Sequence, residues 1–122
     1  MRWVMRSKIH KALVTQAELD DVGSITIDED LLDASGLWAG EKVLVVSNTS
    51  GARLETYTIA GPRGSGDICV NGAAAHLIGI NEEIIVIGFE LTSIPLQPNV
   101  ILVTSGDNRH FTTLQEKACM TV

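Results

Sequence analysis

Val22-Gly23-Ser24-Ile25-Thr26-Ile27-Asp28-Glu29-Asp30-Leu31-Leu32-Asp33-Ala34-Ser35-Gly36 holds the local signals that decide the fold. Ser24 to Ile27 reads as a short strand rich in β-branched residues. Asp28 reads as an N-cap, Glu29 and Asp30 fill a first helical turn, and Gly36 is a stop. The helix between them has two turns at most. Outward from it, every periodic segment is strand-like. Met5 to Thr15 and Glu41 to Ser47 precede a turn over Asn48 to Gly51, and Arg53 to Ala60 returns as the partner of a hairpin. Gly61-Pro62-Arg63-Gly64-Ser65-Gly66 is a loop rich in breakers. Ile68 to Val70, Glu83 to Glu90 and Asn99 to Val103 are further strands, and Gly72 to His76 suits one helical turn. The tail from about residue 105 is polar and weakly patterned, which predicts mobility. Many short strands, little helix and no βαβ alternation predict an all-β fold: one small, closed barrel spanning residues 1–122. Closure also removes the exposed edges of a short chain.

The bulk numbers narrow the function. The chain has 122 residues, 45% of them hydrophobic and 20% charged, and its net charge is −6. The sequence pI is about 4.9. Nucleic acid and anionic membrane surfaces both demand a basic footprint, and none is present. The longest apolar run, Ile84 to Phe89, is too short to span a bilayer. Arg2, Arg6, Lys8 and Lys11 are followed by no apolar segment of the signal-peptide kind, so a cytoplasmic protein is expected. Cys69 and Cys119 form no CxxC pattern and read as free thiols. His10, His76 and His110 have no metal-ligand spacing, so no metal is expected. The glycine-rich loop lacks a Gly-Lys-Ser/Thr ending, and no G-x-S-x-G surrounds Ser24.

Gly23-Ser24 carries a different chemistry. A serine after a glycine can attack the carbonyl that precedes it, and a glycine can hold a strained backbone that other residues resist. Gly64-Ser65 is a second copy of the dipeptide, so its company matters. Met5-Arg6-Ser7-Lys8-Ile9-His10, Val22-Gly23-Ser24, Ile27-Asp28, Gly51-Ala52-Arg53, Thr56-Tyr57, Arg63-Gly64-Ser65-Gly66, Asn71-Gly72-Ala73-Ala74-Ala75-His76 and Pro98-Asn99-Val100 occur in order over nearly the whole chain. Together they resemble the bacterial aspartate 1-decarboxylases, pyruvoyl-dependent enzymes that make β-alanine for pantothenate.

The resemblance implies a double-psi β-barrel, assembled as a homotetramer with active sites between subunits. It implies self-cleavage between Gly23 and Ser24, with Ser24 becoming a covalent pyruvoyl group. Tyr57 matches the proton donor. Lys8 and Arg53 match the cations that bind substrate carboxylates, and L-aspartate carries two of these. Thr56 matches a residue of self-processing and substrate contact. Gly72, Ala73 and Ala74 match a loop that touches substrate through its backbone. Asn71 is expected to assist processing, and His10 lies near the site. The chemistry fits these residue types. The pyruvoyl ketone forms a Schiff base with the substrate amine and serves as an electron sink. A phenol keeps its proton at neutral pH and can deliver it to a carbanion. A guanidinium offers a planar fork to a carboxylate.

One position departs from the family pattern. Asp21, preceded by Asp20, stands where the family has a tyrosine. A carboxylate facing the site would repel a dicarboxylate, which opens a second reading: the same chemistry on a related amino acid. A third is an unprocessed barrel serving assembly or regulation. Blander roles also fit single residues. Arg53 can be a solvated hairpin charge, Tyr57 a rim aromatic, Lys8 and His10 an exposed strand face at i, i+2, and His76 a capping residue. Whether cleavage needs a helper protein is left open by the sequence.

Overall fold

The computed structural model describes all 122 residues. Nine strands form: β1 (Arg2–Leu13), β2 (Gln16–Glu18), β3 (Ser24–Asp28), β4 (Lys42–Ser47), β5 (Arg53–Gly61), β6 (Ile68–Asn71), β7 (Glu83–Thr92), β8 (Asn99–Val103) and β9 (Phe111–Thr113). One α-helix, α1 (Glu29–Ser35), follows β3, and a 3-10 turn covers Gly72–His76. The all-β expectation holds. The strands pair in the order β2-β6-β3-β5-β4-β7-β1-β8-β9.

Alternation builds the core. In β4, Val43, Val45 and Ser47 point inward while Lys42, Leu44 and Val46 are more exposed. β7 repeats this with Ile84, Val86 and Gly88 buried. In β1, Ser7 and Ile9 face inward, which turns Lys8 and His10 to the other face. β3 differs in that both of its faces carry buried residues: Ser24 and Asp28 are as enclosed as Ile25 and Ile27, all four within 1% of full burial. Leu31 and Leu32 of α1 close over the same core.

The helix is set by its ends. Asp28 accepts a hydrogen bond from the Asp30 N–H at 2.9 Å, and Gly36 ends the helix at φ 76°.

Pairing of distant segments fixes what local pattern leaves undefined. β2 pairs parallel with β6, and β9 antiparallel with β8; neither strand is signalled by the sequence. The stretch after Ser105 carries more order than its polarity suggests. Asn108 is fully buried. Its amide accepts from the Leu13 N–H at 2.8 Å and donates to the Leu13 and Gly66 carbonyls at 2.8 and 2.9 Å. One side chain thus ties the β8–β9 loop to the end of β1 and the approach to β6. Gly66 permits the approach: a Cβ there would lie 2.0 Å from the Asp107 carbonyl oxygen.

Candidate functional site

Register brings the dipeptide to its neighbours. β3 runs antiparallel to β6, so Ser24 lies opposite Asn71. On its other side β3 runs parallel to β5, with Ile25 beside Thr58. Ser24 is therefore buried at the start of an inner strand, while Gly23 before it is exposed. The Asn71 Nδ2 donates to Ser24 Oγ at 3.0 Å and to Thr26 Oγ1 at 3.1 Å. The Ser24 hydroxyl donates to the Val22 carbonyl at 3.3 Å. Both of its hydrogen-bonding functions are thus engaged close to the bond it would attack.

A cavity of about 420 Å³ opens beside this junction. Gly23, Asn71, Ala73 and Ala74 form part of its wall, and Thr56 and Tyr57 of β5 contribute to the rest, together with Leu54, Glu55 and Leu77. The two β5 residues point to opposite faces of the strand: Thr56 is half-buried and Tyr57 is exposed. Ser24 and Gly72 lie directly behind the wall. Of the residues singled out from the sequence, the fold gathers Gly23, Ser24, Thr56, Tyr57, Asn71, Gly72, Ala73 and Ala74.

The glycine requirement falls on a different residue from the one expected. Gly23 does not have a positive φ, and a Cβ there would meet only the Asn71 carbonyl oxygen, at 4.0 Å. Gly72 has φ 69°, and its Cβ would lie 2.7 Å from Gly23 Cα, 2.9 Å from Gly23 N and 3.0 Å from the Asp21 carbonyl oxygen. All three atoms are backbone, so no rotamer change relieves the clash. Gly72→Ala is therefore expected to cost about 2 kcal/mol from the strained φ and the clash together. A fall in thermal midpoint, alongside slower change at the Gly23–Ser24 bond, is the outcome to measure. An unaltered midpoint would refute the packing argument.

Four expected residues stand apart from the cavity within one chain. Lys8 on β1 lies opposite Ile87 and Val100 and forms an ion pair with Glu116. Arg53 is at the start of β5, exposed, with no ion pair. It shares a strand face with Tyr57, about 13 Å further along. His10 lies half-buried two residues beyond Lys8, and its Nδ1 is buried without a partner. Burial, and then the Lys8 charge, pull its pKa below the ordinary 6.5. Asp21 has an exposed side chain outside the cavity wall.

Two contacts escaped the sequence reading. Glu116 in the tail meets Lys8, and the Cys69 thiol donates to Asn71 Oδ1 at 2.9 Å. The second was accessible in principle, since i, i+2 spacing places Cys69 and Asn71 on one face of β6. Another cavity, of about 490 Å³, lies among Trp3, Phe89 and β4 and contains none of the expected residues.

The sequence also matches known proteins. Residues 1–110 match the aspartate decarboxylase family. The chain is 52% identical over 113 residues to an aspartate 1-decarboxylase from Corynebacterium efficiens, covering 89% of this chain and 82% of that one. An aspartate 1-decarboxylase from Bacillus pumilus is 60% identical over 92 residues, 75% of this chain and 72% of its own. One from Neisseria meningitidis is 48% identical over 112 residues, with 88% and 87% covered.

Proposed function

The chain belongs to the aspartate decarboxylase family, and from that premise we propose that it cleaves itself at Gly23–Ser24 and uses the resulting pyruvoyl group to convert L-aspartate to β-alanine and CO₂. It is an aspartate-decarboxylating enzyme. The observation that carries the self-processing reading is the pairing of a buried Ser24 with Asn71 beside a cavity walled by Gly23, Thr56 and Tyr57.

Cleavage starts with an N-to-O acyl shift. Ser24 Oγ bonds to the Gly23 carbonyl carbon, the C–N bond breaks, and the nitrogen takes up the hydroxyl proton. The intermediate carries an oxyanion, for which Asn71 Nδ2 and the Thr56 hydroxyl are the nearby donors. Loss of the Ser24 Cα proton then expels the Gly23 carboxylate and leaves dehydroalanine. One water replaces its nitrogen as ammonia. The residues fit the product: the new N-terminus begins an inner strand, and the small side chains of Ala73 and Ala74 leave room above it.

Once formed, the pyruvoyl group supplies a ketone that condenses with the substrate amine and accepts the electrons released with CO₂. Tyr57 holds a hydroxyl proton at the cavity wall and returns it to the carbon that lost CO₂. Gly72, Ala73 and Ala74 offer backbone contacts to the substrate. Lys8 and Arg53 bind its carboxylates, with Lys8 released from Glu116 to do so.

Because Lys8 and Arg53 lie off the cavity of a single chain, we place the complete site between copies in a homotetramer. An exposed apolar face supports this. Trp3 lies opposite Leu91 across the β1–β7 pair, with Phe89 nearby. These side chains are 70%, 44% and 40% exposed. No helix is long and apolar enough to cross a membrane, and a cytoplasmic role in supplying β-alanine for pantothenate follows the family. Asp21 is exposed and is not part of the wall that one chain contributes to the cavity.

Intact mass of the incubated protein tests the proposal. Two chains are expected, Met1 to Gly23 and residue 24 to Val122, the second lighter than a serine-started chain by one ammonia. A single mass that persists, with no β-alanine formed from aspartate, would refute self-processing. Tyr57→Phe is expected to leave cleavage intact and lower kcat by about a hundredfold, the ordinary scale for loss of a general acid. An unchanged kcat would remove Tyr57 from proton transfer.

A further inference from the structure

We infer that Cys69 is a positioning residue for the backbone cleavage, its thiol holding the Asn71 amide with the Nδ2 group turned toward Ser24. The inference rests on the self-cleavage reading above. Asn71 is 5% exposed and Cys69 7% exposed, so neither has ready access to water as a partner. The amide has two orientations related by a half-turn. Thr26 does not choose between them, because a hydroxyl both donates and accepts. Ser24 favours the observed one only through its 3.3 Å donation to the Val22 carbonyl, which leaves its oxygen to accept.

Cys69 adds the second constraint, at the oxygen end of the amide. In the observed orientation its S–H donates to Asn71 Oδ1 at 2.9 Å, and Nδ2 donates to both hydroxyls at 3.0 and 3.1 Å. After a half-turn, an N–H₂ group would face the sulfur, a weak acceptor, and the strong acceptor would face Ser24. Asn71 would then oppose the negative charge that builds on the Gly23 carbonyl oxygen during attack.

The thiol is suited to remain a donor. Burial pushes its pKa up from 9.0, and the carboxylates of Asp21, Glu18 and Asp67 push it further in the same direction. The alternative is that Cys69 is only a small buried filler.

Cleavage kinetics of the full chain separate the two roles. The fraction of single chain converted is followed over time by intact mass, with thermal midpoints as a folding control. Cys69→Ala is expected to slow conversion by about tenfold, the scale of one lost hydrogen bond in the transition state. Cys69→Ser, which keeps a donor of similar size, should convert within about twofold of the unaltered protein. In an Asn71→Ala background, Cys69→Ala should slow conversion no further. Equal rates for Cys69→Ala and the unaltered protein would overturn the inference alone. So would Cys69→Ser as slow as Cys69→Ala, or independent effects in the double variant. An unaltered chain that never cleaves would overturn the self-cleavage reading, and the inference with it.

Discussion

Ser24→Ala is expected to remain a single uncut chain and to release no CO₂ from aspartate. Alanine has no Oγ, so the amide that follows Gly23 meets no nucleophile, no ester forms and no ketone follows. Decarboxylation then lacks its electron sink, and activity falls to background rather than by a modest factor. The fold is expected to survive the change. Ser24 is buried, but Asn71 Nδ2 keeps its bond to Thr26 Oγ1 at 3.1 Å, and the Val22 carbonyl that loses the Ser24 donor belongs to an exposed residue. The stability cost is therefore about 1 kcal/mol. Intact mass and β-alanine formation, measured on a variant with a cooperative thermal transition, check this. Turnover by an uncut Ser24→Ala chain would end the pyruvoyl mechanism. Ser24→Cys sharpens the test, because it restores a nucleophile and should recover part of the cleavage.

Local chemistry made much of this legible in advance. The α1 boundaries follow from Asp28 and Gly36, since capping acts within one turn of the chain. The β4–β5 hairpin follows from a continuous apolar run, Val43 to Val46, and a second strand-like run on either side of a polar turn. β2 and β9 carry no such signal. Each is a short strand that exists because a distant strand pairs with it. Asn108 looks like an ordinary polar tail residue until Leu13 and Gly66 are brought beside it.

The site divides in the same way. Gly23, Thr56, Tyr57, Asn71, Ala73 and Ala74 reach one cavity because β3 sits between β5 and β6. Lys8 and Arg53 were expected with them, yet one strand pairing does not carry them there. The constraint on glycine was also displaced, from Gly23 to Gly72, because it arises from contact between two loops. A dipeptide by itself cannot reveal which of two touching segments lacks room.

Asp28→Ala is the substitution expected to cost most stability. The carboxylate is 1% exposed. It accepts from the N–H of Asp30 at 2.9 Å, Gly64 at 3.0 Å and Gly66 at 2.9 Å. One side chain therefore caps α1 and also fastens the loop that leads into β6. Alanine would leave these donors unpaired, two of them outside the helix and dependent on this carboxylate for their place. Loss of the cap costs about 1 kcal/mol. Each further bond to a charged acceptor adds about 1.5 kcal/mol at the low end. The sum is about 4 kcal/mol, or a fall in thermal midpoint on the order of 15 °C for a domain of this size.

Asp28→Asn distinguishes this account from simple loss of charge. The remaining oxygen can serve Asp30 and Gly64, as Oδ1 does now, but the new N–H₂ would confront the Gly66 N–H. About half the loss is therefore expected. The damage should also reach the site, because Gly66 leads into Ile68 and so into the strand that holds Cys69 and Asn71. Slower cleavage in Asp28→Asn at a temperature where it is still folded would show that the loop anchor supports the Asn71–Ser24 register. Full-speed cleavage would confine Asp28 to stability.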